Sequence, residues 1–180
     1  MKILIFSDSH GDTSTMCSVT GKEKPDMIIH LGDGIADTEQ LQEKYPHIQI
    51  IKNPGNIDSD KDEEWIKHTE ICGKRIIMTH GHTFFQYTFF PESNTNQLTD
   101  ESRITGRANI LKYMTENNAD IFLHGHTHEP YINSNPTPGK TYWIMNPGRI
   151  GRIDGTAIKP TYGILKIDET GGLEWRFSEI

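Results

Sequence analysis

Strand-length runs of apolar residues recur along the chain, and several stop abruptly at a polar side chain beside a glycine. Runs at residues 2–6, 27–31, 48–52, 65–71, 75–79 and 121–124 read as strands, as do 142–145, 162–167 and 173–177. The first three are buried-type runs, and the segments between them have helical or mixed character, the pattern of parallel βαβ units. Residues 36–44 predict a short helix. Residues 102–117 predict a longer one, with Ile104, Ala108, Leu111, Tyr113 and Met114 as its apolar stripe. The last third alternates strand and turn, with Gly171 and Gly172 marking a hairpin. The expected fold class is α/β: two packed sheets with helices outside.

Composition narrows the class. A chain of 180 residues suits one domain, 1–180, with a proper core. Hydrophobic content of 34% and a mean hydropathy of -0.60 describe a soluble protein, and no run approaches the roughly 20 apolar residues that span a bilayer. The opening MKILIFSDSH has too short an apolar run for a signal peptide, so a cytoplasmic location is expected. Cys17 and Cys72 fit no metal-finger spacing and read as free, buried thiols. A net charge of -7 argues against non-specific nucleic-acid binding, yet leaves room for a phosphate substrate because bound cations invert a local field.

The chemistry sits at the strand ends. The first run leads into Ser7-Asp8-Ser9-His10, the second into Gly32-Asp33-Gly34, and the third into Asn53-Pro54-Gly55-Asn56. Residues 76–79 lead into His80-Gly81-His82, and 122–123 into His124-Gly125-His126-Thr127-His128. Carboxyl ends of parallel strands converge on one edge of a sheet, where ligands bind. Six of the nine histidines fall in these motifs, which makes a metal centre a better account than independent turn residues. Oxygen and imidazole donors without thiolate suit Mn, Fe, Zn, Co or Ni rather than a structural zinc site.

In this order the motifs resemble those of the calcineurin-like metallophosphoesterase superfamily, especially its small single-domain bacterial and archaeal phosphodiesterases. Asp8-Ser9-His10, Gly32-Asp33, Gly55-Asn56, His80-Gly81 and Gly125-His126-Thr127-His128 carry the likeness, with Asn146-Pro147-Gly148 as a further short turn. The resemblance implies a four-layer αββα sandwich of two mixed sheets and two divalent metal ions, manganese first, with Fe, Ni, Zn or Co as alternatives. It implies that Asp8, His10, Asp33 and His128 hold one ion, and Asp33, Asn56, His80 and His126 the other, with Asp33 bridging. Two such ions would lower the pKa of a shared water and supply hydroxide for in-line attack on phosphorus. Asn56 could also donate to a phosphate oxygen.

One position departs from the pattern. Many members carry a histidine after Gly-Asn, where it protonates the leaving group; here Ile57 cannot transfer a proton, which favours diester over monoester substrates. His82 and His124 are candidate substitutes, with orientation of a ligand as the competing role. Asp58 reads as a ligand-orienting or turn residue, His30 as buried and structural, and Arg149 as a candidate contact for substrate phosphate. Between His82 and the long helix lies an aromatic segment, 83–101, beginning Thr83-Phe84-Phe85-Gln86-Tyr87. It could be a lid, a substrate wall, a contact between copies of the chain through residues 84–91, or a loop filling its own small core. The expected partner is a small phosphate ester, with no membrane. The alternative from another class is a catalytically weak scaffold of the same fold, like the retromer subunit, against which the complete ligand set argues.

Overall fold

Two five-stranded mixed sheets pack face to face in the computed structural model, which describes residues 1–59, 64–152 and 159–180. In the first, β1 (Lys2–Phe6), β2 (Met27–His30) and β3 (Gln49–Lys52) run parallel. β11 (Thr161–Ile167) lies antiparallel to β1, and β12 (Leu173–Glu179) antiparallel to β11. The second sheet has β5 (Lys74–Thr79), β8 (Ile121–Leu123) and β10 (Lys140–Asn146) parallel, edged by antiparallel β4 (Ile66–Ile71) and β9 (Tyr131–Thr137).

The two-residue period of a strand divides each one between two interfaces. Ile3 and Ile5 of β1 face the core between the sheets with Ile29, Met78, Leu123 and Leu165. Leu4 and Phe6 face the other way, where Met16 and Val19 of α1 (Thr13–Glu23) and Leu41 of α2 (Asp37–Lys44) cover them. On the far side, Ile77, Phe122 and Ile144 pack against Ile110 and Met114 of α3 (Asp100–Glu116). The layers therefore run α, β, β, α, as the family resemblance implies. Among the described residues no helix is long and apolar enough to cross a membrane.

Three local readings change. The stripe on α3 is rotated: Ile104 is 70% exposed and Ala108 is exposed, while Gly106, Ile110 and Met114 are buried. The cause is the aromatic segment, whose Phe85 is buried against Gly106, so the helix turns its glycine toward it. That segment splits. Phe84 and Phe85 fill the α3 core, Phe84 lying 5.2 Å from the ring of Phe122, whereas β6 (Thr88–Phe90) and β7 (Thr95–Gln97) form a hairpin that leaves Phe89 exposed. Cys17 is buried as expected, but Cys72 is exposed, because it occupies the tight turn between β4 and β5 beside Gly73.

Candidate metal centre

The loops that leave β1, β2, β5 and β8 meet above one end of the sandwich. Asp8 lies at the bottom of this meeting point, fully buried, with His128 Nε2 3.1 Å from its Oδ1 and His10 Nε2 4.0 Å away. His80 Nε2 stands 3.9 Å from the same oxygen and 3.3 Å from Asp33 Oδ2. Two groups of donor atoms result, Asp8–His10–His128 and Asp8–Asp33–His80, each within 4.8 Å. Asp8 belongs to both. His126 joins through its Nδ1, 3.3 Å from His80 Nε2.

That last contact carries chemical information. The other nitrogen of each ring faces a backbone carbonyl, which can only accept: His80 Nδ1 donates to Leu31 O at 2.9 Å, and His126 Nε2 to Phe85 O at 3.1 Å. With those protons so placed, His126 Nδ1 presents a lone pair to His80 Nε2, which also faces Asp33 Oδ2 at 3.3 Å, so the spot calls for a proton on His80 or a cation. The donors present, two carboxylates and four imidazoles, fit divalent first-row metals.

The backbone is bent to bring these groups together. Asp8, His10, Asp33, His126 and His128 all have left-handed φ, between 47° and 64°. Such conformations cost about 1–3 kcal/mol each outside glycine and persist where surrounding structure over-determines them. The surroundings here are specific. Asp58 accepts hydrogen bonds from the backbone N–H groups of Asp33 (2.8 Å), Gly34 (2.9 Å), Ile35 (3.1 Å) and Gly55 (2.8 Å), locking two loops together. Asp37 accepts from the Ser9 hydroxyl at 2.6 Å and the Gly11 N–H at 2.8 Å. Asn146 donates to Gly125 O and Thr127 Oγ1, both at 2.9 Å, fixing the turn that presents His126 and His128. A Cβ at Gly55 would meet Asp33 Oδ1 at 2.0 Å, so only glycine fits beside that carboxylate.

Burial sets the charges. It pushes the Asp8 carboxyl up, but the hydrogen bond from His128 and the fields of His80 and His128 more than reverse this and hold it at about 2. Burial lowers His126 to about 4, leaving it neutral and able to ligate near pH 7. For His80 the burial penalty is outweighed by the hydrogen bond to Asp33 and the nearby carboxylates, so its pKa rises.

The remaining expected residues divide. Asn56 lies on an exposed turn beside Ile57, whose N–H donates to Asp33 Oδ1 at 3.2 Å. His82 sits 5.7 Å from His80, ring to ring, and among the described residues neither of its ring nitrogens has a hydrogen-bond partner. Its contacts with His80 and His126 are made by the ring alone. His124 is fully buried, donates to Gly125 O at 2.9 Å and pairs with the Tyr131 hydroxyl, which makes it a structural residue of the loop. His30 is the buried structural residue expected, bonded to Ser9 Oγ at 3.1 Å and accepting from Gly32 N–H at 3.2 Å. Arg149 is half-buried, with its guanidinium bonded to Gly151 O at 2.9 Å and its charge felt by His10. Asp37 stands in no motif; Asn146 is marked only as part of a short turn and Tyr87 only as part of the aromatic segment, and the fold shows what each one holds.

Comparison with known proteins agrees with this geometry. The model of the calcineurin-like phosphoesterase superfamily domain matches residues 1–170. A probable metallophosphoesterase of Mycoplasma pneumoniae is 26% identical over 159 residues, 84% of this chain and 92% of that protein. Among solved structures, a predicted phosphoesterase of Streptococcus pneumoniae TIGR4 has a TM-score of 0.65 at 25% identity, covering 99% of this chain and 97% of its own. Vps29 of Entamoeba histolytica, complexed with zinc, superposes with a TM-score of 0.64 at 16% identity, covering 99% of both chains.

Proposed function

Since this chain belongs to the calcineurin-like phosphoesterase superfamily, we propose that it is a metal-dependent hydrolase of phosphate esters that prefers phosphodiesters. The observation that carries the reading is the facing pair of His80 Nε2 and His126 Nδ1, beside two carboxylates, in a cluster that wants positive charge. Asp8, His10 and His128 would hold one divalent cation, and Asn56, His80 and His126 a second, with Asp33 shared between them. Zinc, which accompanies the Entamoeba Vps29 structure, suits this donor set, as do Mn, Fe, Ni and Co. When bound, such ions lower the pKa of water to near neutrality and neutralise charge on a phosphoryl group.

The protein's own part is to aim and screen. Asp58 keeps the Asp33 and Gly55 loops in register, which would hold Asn56, the residue after Gly55, near the loop that carries the Asp33 carboxylate. Arg149, directed by Gly151 O, adds positive potential on the His10 side, where an anionic ester would enter. His82 lies next to the cluster, its two ring nitrogens buried and without a hydrogen-bond partner among the described residues. It is the candidate to donate a proton to a leaving group, its pKa lowered by burial and by the charge of His80. Ile57 puts no acid at the position beside Asn56, which suits diesters whose leaving groups need less help.

Metal analysis of the purified protein, joined to hydrolysis of matched mono- and diesters of p-nitrophenol under each metal, tests this directly. The expected result is metal-dependent turnover with the diester faster, and loss of at least about 100-fold in kcat for Asp33→Asn. Turnover by that variant after chelation, equal to the untreated enzyme, would end the proposal.

A further inference from the structure

Along one flank of the centre, four rings make a continuous row. Trp65 lies 4.6 Å from His82, His82 6.2 Å from His126, and His126 5.1 Å from Tyr87, centroid to centroid, each pair edge-on. The inner two belong to the site. The outer two are open to solvent, Trp65 at 50% exposure and Tyr87 at 38%. Ile57, 61% exposed, adjoins the same site through its N–H on Asp33.

Packing does not account for these end members. Among the described residues, neither Trp65 nor Tyr87 belongs to an apolar core. Tyr87 is nonetheless held in place, since its hydroxyl donates to the His126 carbonyl at 3.2 Å and its ring meets the His126 ring. An exposed aromatic pinned beside a reactive cluster is a wall in search of a partner. The four rings offer stacking to whatever lies along them, while Arg103, whose charge reaches Tyr87, is paired with Glu129. A phosphate ester seated at the donor cluster must extend its organic group past one of the cluster's sides, and this side presents a row of aromatic rings.

We propose that the Trp65–His82–His126–Tyr87 row is a subsite for a planar aromatic group esterified to the phosphate, so that the substrate is a phosphodiester bearing an aryl or nucleobase-like ring. The inference rests on the phosphoesterase reading above. Its test therefore holds the leaving group constant: methyl p-nitrophenyl phosphate and phenyl p-nitrophenyl phosphate release the same chromophore and differ only in the group that would meet the row.

For the metal-loaded protein, kcat/KM for the phenyl ester should exceed that for the methyl ester by about tenfold, the scale of one well-placed aromatic contact. In Trp65→Ala and Tyr87→Ala the ratio should fall to about twofold, while Trp65→Phe, which keeps a ring, should retain most of it. Because the readout is a ratio, a partly unfolded variant lowers both rates together and leaves it unchanged. Failure of the unmodified protein to hydrolyse either ester would strike at the phosphoesterase reading itself. Equal rates on the two esters, or a ratio untouched by both alanine variants, would overturn the subsite and leave that reading standing.

Discussion

Asp58 binds nothing that reacts, yet its carboxylate accepts four backbone N–H groups from the loops that carry Asp33 and Gly55. Charged acceptors make the stronger hydrogen bonds, and here they hold Asp33 in a left-handed conformation that a free loop would abandon. In Asp58→Ala those donors turn to water and the Asp33 carboxylate loses its aim. Metal affinity, measured by titration with a competing chelator, should drop by about 10–100-fold with the circular dichroism spectrum unchanged, the range seen when groups behind a metal ligand are removed. Unaltered affinity would mean that Gly55 packing alone positions Asp33. At this scale the sequence is a good guide to which donor residues gather and a poor one to what supports them. Asp8, His10, Asp33, His80, His126 and His128 stand in motifs whose residue types betray them. Asp37 and Asn146 act on loops distant in sequence, Asp37 on Ser9 and Asn146 on Thr127, and no local pattern marks such a pairing.

Elements show where pattern reading fails for a physical reason. The strands of the two sheets were legible because a buried strand is apolar at successive positions on both faces, as in Ile3, Leu4, Ile5 and Phe6. Helix α1 was not, because Thr13–Glu23 is rich in threonine and serine; it is held by burial of Met16 and Val19 and by the Asp12 cap accepting from Thr15 N–H. Strand β9 was missed too, since Tyr131–Thr137 is polar and contains proline, acceptable only at the sheet edge where it lies. In α3 the pattern does not show the contact with the aromatic segment, which resets the helix's buried face. A Cβ at Gly106 would come within 2.5 Å of Phe85 Cδ1 and 2.8 Å of Phe84 O. Gly106→Ala should therefore destabilise the protein, because overpacking of about 1–3 kcal/mol exceeds the helix-propensity gain of about 1 kcal/mol. Chemical denaturation of the variant checks the sign, and Phe85→Leu in the same chain should recover part of the loss. A midpoint above that of the parent protein would show that Phe85 does not rest on the helix.

Across the whole molecule, the cluster of histidines makes stability depend on pH in a definite direction. Burial lowers His30 to about 4, His124 to about 3 and His126 to about 4, all from an ordinary value of 6.5. Below pH 6.5 the unfolded chain takes up protons that these folded sites refuse, so their contribution is full above 6.5 and drains away toward pH 4. His80 runs the other way. Its raised pKa gives a contribution that is full below 6.5 and is lost as pH rises through the folded value. Asp8, held at about 2, keeps its contribution until the pH falls below 3.8 and is silent in the window between. The lowered histidines outnumber the raised one, and His30 and His124, fully buried, each forfeit about 2 kcal/mol between pH 7 and pH 5. The chelated protein should therefore melt at progressively lower temperature from pH 7 to pH 5. Added divalent metal competes with the proton on His80, whose pKa is raised, so the rise in melting temperature that it confers should shrink over the same interval. A melting temperature that holds level or climbs on acidification, in the absence of metal, would place His80 and its two carboxylates in control of the fold's response to acid.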